Sequence, residues 1–366
     1  MYEPLRELCC TLISSNARLK TDITPSVVIS SEWDYSPLYF QPTQSLLELV
    51  ILGIPACESD NALLFPLMGH EVGHVFWQRI ILYESLDGLP FAEIKMHITA
   101  ALYSIVSKNW NSVAPAILAD QDISVPLTSD EIAESKTLRK ALSPLEAIVQ
   151  AQAEETFCDF LGIRLFPSSY LEAFTQYLAP GTEPEANQLY PSWSLRIQNM
   201  VCAANHYDFS SIPRTFLDHF GPLGATSDLR FTKEPFPLRQ RSDFSSDLQY
   251  MCHVAEVVVS TLSETLAQAA NLASENAKIP MPDQENITTI ERMLRADVPG
   301  CGSLSLGNLL DAAWRIHSDL LADLAAINPN AEDAPHQRSV VESKAAVLRE
   351  AVLKSLEVLS LEKLAV

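Results

Sequence analysis

The chain has 366 residues, 47% of them hydrophobic, and it carries 25 basic against 46 acidic side chains, for a formal net charge of -21. This length favours two domains, and the hydrophobic content is enough for a large core and excludes a disordered chain. The negative charge argues against nucleic acid and against an anionic membrane surface as partners, because both attract basic residues.

The N-terminal residues have no basic region followed by a long apolar run, and no apolar segment reaches the length of a membrane span. We therefore expect neither a signal peptide nor a membrane helix. Seven cysteines, an odd number without zinc-finger spacing, favour reduced thiols. These features predict a cytoplasmic protein that binds neither membrane nor nucleic acid, and they leave its oligomeric state open.

The first part of the chain predicts one helix followed by short strands. An amphipathic pattern over Leu5 to Leu19 predicts the helix. Val27 to Ser30 and Leu47 to Leu52 are short β-branched or apolar runs bounded by proline, serine, aspartate or glycine, which predict strands. Tyr35 to Phe40 is a candidate for a third strand. All of them precede residue 60, and strand signals nearly vanish after it.

Residues 60–80 contain the motif His70-Glu71-Val72-Gly73-His74 within an apolar segment. Residues four apart share one face of a helix, so the two imidazoles can bind a single ion. Glu71 follows the first histidine by one position, where its carboxylate can reach a metal-bound water without binding the metal. Polar groups are costly to bury without a partner, and a metal ion is one such partner. The alternative is a helix with two hydrogen-bonded core histidines.

The segments after this motif are predicted to be helical. Phe91 to Asn109 has apolar residues at helical spacing, and Ser143 to Glu146 combines an N-cap serine, a first-turn proline and a capping box. We therefore predict a helix from Ser143 to about Phe166. Residues 167–192 are rich in proline and predict a long surface loop, with at most one short helix over Tyr170 to Leu178. Residues 191–204 predict another helix.

Glu155 and Asp159 are four residues apart on the helix that begins near Ser143, so they share one face. Glu155 can supply a carboxylate oxygen to a zinc ion, while Asp159 can accept the ring N–H of a ligating histidine and fix its tautomer. The alternative is two acidic residues on a solvated face, which the apolar neighbours disfavour. Glu154 is expected to be the solvated carboxylate of this segment.

His70-Glu71-x-x-His74 followed by Glu155-x-x-x-Asp159 resembles the gluzincins, which are HExxH metallopeptidases with a helical glutamate as third zinc ligand. The resemblance covers two helices, and a spacer of 80 residues separates His74 from Glu155. It implies a zincin-like core in which His70, His74 and Glu155 hold one zinc. It also implies hydrolysis of peptide bonds by a zinc-bound water, with Glu71 as general base. His97 is the alternative third ligand.

A third and weaker match to the gluzincins lies at Tyr190-Pro191 and Arg196. Some gluzincins have a histidine-proline turn and an arginine in the following helix near the metal, and tyrosine occupies the histidine position here. A phenol or a guanidinium beside the zinc can stabilise the oxyanion of a tetrahedral intermediate. The resemblance thus suggests Tyr190 and Arg196 as catalytic residues. The alternative is a proline-opened helix with a surface arginine.

The last part of the chain predicts a helical bundle after a proline-rich connector over residues 207–243, for which a substrate-facing loop is the alternative. Ser246 to Ser274, Leu306 to Ile327 and Ser339 to Leu361 carry apolar stripes at helical spacing. We therefore predict an α+β, mostly α-helical fold. Residues 1–225 would form a zincin-like metallopeptidase domain with a small N-terminal sheet, and residues 226–366 a C-terminal helical domain.

These observations predict a zinc metallopeptidase that acts on a peptide or protein substrate. Two alternatives stay open, namely a catalytically silent zincin scaffold that serves as a binding module, and a metallohydrolase of a non-peptide amide. An open fourth coordination position would distinguish the enzymes from the scaffold.

Overall fold

The structure is a computed structural model, and it describes residues 2–16, 26–32, 38–40, 49–58, 60–78, 81, 91–117, 127–178, 185–209, 212–224, 226–232, 236–300 and 305–364. Parts of five predicted segments lie outside these residues, namely 17–19, 35–37, 47–48, 179–184 and, in the connector, 210–211, 225 and 233–235. The fold is α+β and mostly helical, with a small sheet near the N-terminus, as predicted.

Among the described residues, all strands precede the helix that carries the HExxH motif. In chain order the elements are α1 (Glu3–Asn16), β1 (Ser26–Glu32), β2 (Leu38–Phe40), β3 (Leu49–Pro55), α2 (Phe65–Phe76), α3 (Ala92–Lys108), α4 (Trp110–Ile117), α5 (Ser129–Glu134), α6 (Lys136–Leu165), α7 (Pro167–Ala173), α8 (Trp193–His206), α9 (Arg214–Phe220), α10 (Asp247–Asn276), α11 (Gln284–Arg295), α12 (Leu306–Ala326) and α13 (Ala334–Leu364).

The sheet has the strand order β1-β3-β2, so the last strand in sequence lies in the centre. β1 pairs with β3 in parallel, from Ser26 opposite Leu49 onwards, and β2 pairs with β3 in antiparallel orientation. Val50, Leu52 and Ile54 of β3 are buried, as the alternation of a half-covered strand requires. β3 leads through a short turn into α2, so the sheet positions the start of the motif helix.

Two local features stabilise the start of the motif helix α2. Asn61 is the N-cap of the short 3₁₀ helix Ala62–Leu64, and its side chain accepts a hydrogen bond from the backbone N–H of Leu63. Pro66 then occupies the first turn of α2, where its missing N–H costs nothing. From the other side of the fold, the indole of Trp314 on α12 donates to the carbonyl of Leu63 over 2.9 Å. The start of α2 is therefore held both locally and by a distant helix.

The helix that carries Glu155 begins earlier than predicted. Ser135 is its N-cap and accepts from the backbone N–H of Leu138, whereas Pro144 lies inside the helix. An interior proline removes one helical hydrogen bond and costs about 3 kcal/mol. The buried side chains of Leu138 and Leu142 on this first part of α6 offset that cost. The prediction of a start at Ser143 is therefore wrong, because burial outweighs the local capping signal.

Residues 167–178 are helical throughout, so the short helix predicted over Tyr170 to Leu178 is present and begins earlier, at Pro167, where a surface loop was predicted. They form α7 and a following π-helical turn, Phe174–Leu178, and several of their side chains are fully buried. Tyr170 is 0% exposed and its ring packs against Gly162 of α6. The proline-rich composition of this region misled the prediction, because Pro167 opens a helix instead of breaking one.

The three long C-terminal helices are confirmed as α10, α12 and α13, and α11 adds a shorter one. Ser246 and Ser305 are the N-caps of α10 and α12. The last helix begins at Ala334, not at Ser339, because Ala334 is buried against the core and starts the helix more than a turn earlier.

α10 packs along α6, and one continuous hydrophobic core includes side chains from both sides of residue 225. The division into two domains at that residue stays a prediction. Within the ranges that the structure describes, no helix combines the length and the apolar character needed to span a membrane.

α2 and α6 approach each other closely because both present small residues at the crossing. A Cβ added at Gly69 would lie 3.0 Å from the Cα of Gly162, and one added at Gly73 would lie 2.8 Å from the Cα of Cys158. Both contacts are to backbone atoms, which cannot rotate away. The two glycines of α2 are thus required for the spacing that brings the HExxH face to the face of Glu155 and Asp159.

We expect Gly73→Ala to destabilise the protein. Forcing a methyl group into this contact costs about 1–3 kcal/mol, of which the better helix propensity of alanine offsets up to about 1 kcal/mol. Gly221→Ala is the control, because a Cβ there meets no heavy atom within 4 Å. Urea unfolding of both variants measures the effect. A Gly73→Ala protein as stable as the parent would contradict the tight crossing.

Candidate metal centre

The two motif histidines of α2 converge on one carboxylate of α6. The Nε2 atom of His70 lies 3.1 Å from Oε2 of Glu155, and the Nε2 atom of His74 lies 3.6 Å from its Oε1. Two ligand atoms of a tetrahedral zinc, each about 2.1 Å from the ion, lie about 3.4 Å apart. The observed distances thus match those between ligands of one ion.

Glu155 Oε2 is buried, and among the described residues no donor reaches it with hydrogen-bond geometry. A buried carboxylate oxygen without a partner is costly, and native structures rarely tolerate one unless an ion or a water completes it. The contact of 3.1 Å to His70 is short yet not aligned as a hydrogen bond. A cation bound to both atoms would account for a short contact that is not a hydrogen bond.

Asp159 holds the other ring nitrogen of His70, as predicted. Its Oδ1 lies 3.0 Å from Nδ1 of His70 and also accepts from the hydroxyl of Tyr170 over 2.7 Å. Arg196 donates to both oxygens, from Nε over 2.7 Å and from the terminal nitrogen over 2.9 Å. Burial raises the pKa of Asp159, but the Arg196 charge and these bonds outweigh it and hold that pKa well below its ordinary value. An ionised Asp159 accepts the proton on Nδ1, so Nε2 keeps its lone pair for a metal.

Glu154 performs the same task for His74, and the expectation that it is solvated is wrong. Its Oε1 lies 2.9 Å from Nδ1 of His74, and Gln78 donates to both carboxylate oxygens over 3.1 Å. The side chains of His74 and Glu154 are each 17% exposed. Each ligating nitrogen therefore has a carboxylate on the opposite side of its ring, which orients the ring and raises its basicity.

The side chains of the site carry more acidic than basic groups, and this imbalance favours the binding of a cation. Four carboxylates, those of Glu71, Glu154, Glu155 and Asp159, face one guanidinium and two imidazoles. Burial lowers the pKa of His70, but its hydrogen bond with Asp159 and the negative charges of the Asp159 and Glu155 carboxylates outweigh this and raise it to about 10. Without a metal, the proton bound by the histidine compensates part of the negative charge. A divalent ion that binds the same nitrogens takes the place of the proton.

Cys158 adds a sulfur donor to this centre. Each of His70, His74 and Cys158 offers a ligand atom, and these atoms all lie within 4.8 Å of one another. Burial raises the pKa of the Cys158 thiol well above its ordinary value, and the carboxylates nearby raise it further. The group of two histidines and one cysteine could hold a metal ion, and the carboxylate of Glu155 lies 3.1 Å and 3.6 Å from the same two imidazoles.

Glu71 directly follows His70 on α2. Burial raises the pKa of its carboxyl, and the charges of His70 and His74 act in the opposite direction. A raised pKa brings a carboxylate closer to the range in which it can take up and release a proton near neutral pH.

Arg196 reaches His70 through Asp159, and the ring of Tyr190 packs against the guanidinium of Arg196. The guanidinium carbon of Arg196 sits 4.8 Å from the centre of the Tyr190 ring, and the faces of Phe174 and Trp193 surround it further. Burial raises the pKa of Tyr190, and the charges of Glu155 and Asp159 add to the shift, so the phenol stays protonated. Arg196 directs its bonds at Asp159. It is buried, and the alternative of a surface arginine is wrong.

His97, the alternative third ligand, is exposed on α3, whereas Glu155 lies between the two imidazoles. Two participants were missed by sequence reasoning, Tyr170 and Gln78. Tyr170 lies in a segment predicted to be a loop with at most one short helix, and no local signal marks it. Gln78 lies four residues after His74 and therefore on the same helical face, which is the signal that could have identified it.

Comparison of the chain with protein-family models, with curated proteins and with solved structures yields no match.

We expect Glu154→Ala to weaken metal binding about 10- to 100-fold, the usual effect of removing the partner that orients a ligating histidine. Glu154→Gln should restore most of the affinity, because an amide oxygen still accepts the Nδ1 proton. Glu146→Ala, on the same helix two turns earlier, is the control. Competition with a chelating indicator measures the dissociation constants. Unchanged affinity in Glu154→Ala would refute the role of Glu154.

We expect Asp159→Ala to cost about 3–5 kcal/mol of stability in metal-free protein, because it leaves the buried guanidinium of Arg196 without a counter-charge. The matched control is Asp218→Ala, which removes the exposed Arg214–Asp218 pair and should cost at most about 0.5 kcal/mol. Chemical denaturation of both variants measures the difference. Equal costs would show that the buried pair adds no more than a surface pair.

Proposed function

We propose that the protein is a zinc-dependent peptidase of the gluzincin type, with His70, His74 and Glu155 as zinc ligands. The observation that carries the proposal is the buried Glu155 carboxylate, which lies between two Nε2 atoms and has one oxygen without a hydrogen bond. Imidazole and carboxylate donors at tetrahedral spacing favour zinc over magnesium or calcium, which take oxygen ligands and larger coordination numbers.

A zinc ion in this position would supply a Lewis acid that polarises a carbonyl and lowers the pKa of water. Glu71 is the general base, because it follows a ligand by one residue and burial raises the pKa of its carboxyl. It takes the proton of the attacking water and passes it to the leaving amine. Tyr190, protonated and close to Glu155, donates a hydrogen bond to the oxyanion.

The remaining residues of the site orient the ligands. Asp159, together with Tyr170 and Arg196, holds His70 in the tautomer that frees Nε2. Glu154 and Gln78 do the same for His74. Such positioning removes the reorganisation that the ligands would otherwise undergo during the reaction.

We also propose a cytoplasmic location and a peptide or protein substrate, without nucleic acid as a partner. Free thiols at Cys158, Cys202 and Cys252 support a reducing compartment. The net charge of -21 supports the exclusion of nucleic acid and favours basic substrates.

A catalytically silent scaffold is the second candidate, and one observation favours it. The sulfur of Cys158 is close enough to the histidines to be a further protein donor. Four protein ligands would close the coordination sphere, as in structural zinc sites, and leave no position for a reacting water.

Glu71→Gln distinguishes the enzyme from the scaffold. Glutamine keeps the size of the side chain but accepts no proton, so zinc content should stay at one per chain while peptide hydrolysis falls about 10²- to 10⁴-fold. Elemental analysis and digestion of a peptide library, with non-peptide amides beside it, give both quantities.

Less than a tenth of a zinc equivalent in the parent, with no uptake on titration, would refute the metal site. Equal hydrolysis by parent and Glu71→Gln would refute Glu71 as the base. A zinc-loaded parent that cleaves nothing would support the scaffold.

A further inference from the structure

We infer that Cys158 is a metal ligand that closes the site in a resting state of the enzyme. The inference rests on the proposed function, because it assigns a fourth donor to the zinc held by His70, His74 and Glu155. It adds a means of regulation, since the bound sulfur would occupy the coordination position that the reaction needs.

The spacing of donors along α6 is the first observation that favours Cys158 as a ligand. Glu155 and Cys158 are three residues apart, so they lie next to each other on one face of the helix. Two donors at this spacing can bind one ion, as Glu-x-x-His pairs do in helical bundles. The histidines of α2 are four apart and face the same place. Each helix thus contributes two donors.

The crossing of α2 and α6 is the second observation, because it places the Cys158 sulfur against α2. A Cβ added at Gly73 would lie 2.9 Å from the sulfur of Cys158, so the sulfur fills the space that the missing side chain leaves. Gly73 lies between the two histidines in sequence, directly before His74. The sulfur therefore rests against α2 at the level of the imidazoles, within 4.8 Å of a nitrogen of each.

The donor types are the third observation. Thiolate, imidazole and carboxylate are the three ligand types that zinc accepts, and a tetrahedral site with four protein ligands is closed. A buried free cysteine by itself behaves as a small apolar residue. Two histidine nitrogens within 4.8 Å of its sulfur distinguish Cys158 from Cys202, another buried thiol. The same two imidazoles contact Glu155, whose Oε2 has no hydrogen bond among the described residues.

The exchange is a ligand substitution without a redox change. When the metal–sulfur bond forms, the S–H bond breaks, the proton leaves to solvent and the water in that position departs. When the sulfur dissociates it takes up a proton again, and the position opens to substrate. Closed and open forms therefore differ by one proton and one water, and activity depends on the fraction in which the sulfur is released.

Zinc K-edge absorption of the loaded full chain tests the ligand directly. The parent should show one sulfur at about 2.3 Å beside nitrogen and oxygen neighbours at about 2.0–2.1 Å. Cobalt-loaded parent should show a thiolate charge-transfer band in the near ultraviolet. Cys158→Ala and Cys158→Ser should lose both signals while they still bind the metal, and Cys202→Ala should keep both.

The activity of the same proteins tests the closed state. Metal-loaded Cys158→Ala should hydrolyse peptides faster than the parent, and Cys202→Ala should match the parent. Metal uptake without a sulfur signal in the parent would overturn this inference and leave the proposed function intact. Equal hydrolysis by parent and Cys158→Ala would overturn the closed state. Failure of the parent to bind zinc or cobalt would refute the proposed metal site itself, and this inference with it.

Discussion

The close crossing of α2 and α6 is the constraint on which the rest of the structure depends. Gly69 faces Gly162 and Gly73 faces Cys158, so the backbones approach to a distance that no larger side chain at the glycines would permit. Only at this distance do imidazoles from one helix reach carboxylates of the other within about 3 Å. The small residues thus determine the chemistry although they supply no functional group.

The crossing of α2 and α6 places the imidazoles of one helix among the carboxylates of the other. Carboxylates on α6 face both sides of each imidazole, with one pair of oxygens towards Nδ1 and another towards Nε2. This excess of negative charge would be unfavourable in a buried place, and Arg196 compensates only part of it. The free energy that remains favours a bound cation, so the affinity for metal and the burial of the acids have the same origin.

The sequence was sufficient for features that depend on local periodicity. Residues four apart share a helical face whatever the fold, so the pairing of His70 with His74 and the contact of Asp159 with a histidine could be predicted. Tyr170 could not, because its bond to Asp159 depends on how α7 folds back after Pro167. The early start of α6 could not either, because capping signals act over a few residues whereas burial of Leu138 depends on the tertiary structure.

The hydrogen bond from Trp314 to the carbonyl of Leu63 connects residues that are 251 positions apart in the chain. Leu63 directly precedes the motif helix, and Trp314 lies in the middle of α12. Loosening of α2 in the absence of an ion would therefore deprive a C-terminal helix of a buried acceptor, and a bound ion would stabilise both. In a cooperative unfolding transition, an ion bound at the site would therefore also raise the stability of α12, although α12 supplies none of the donors.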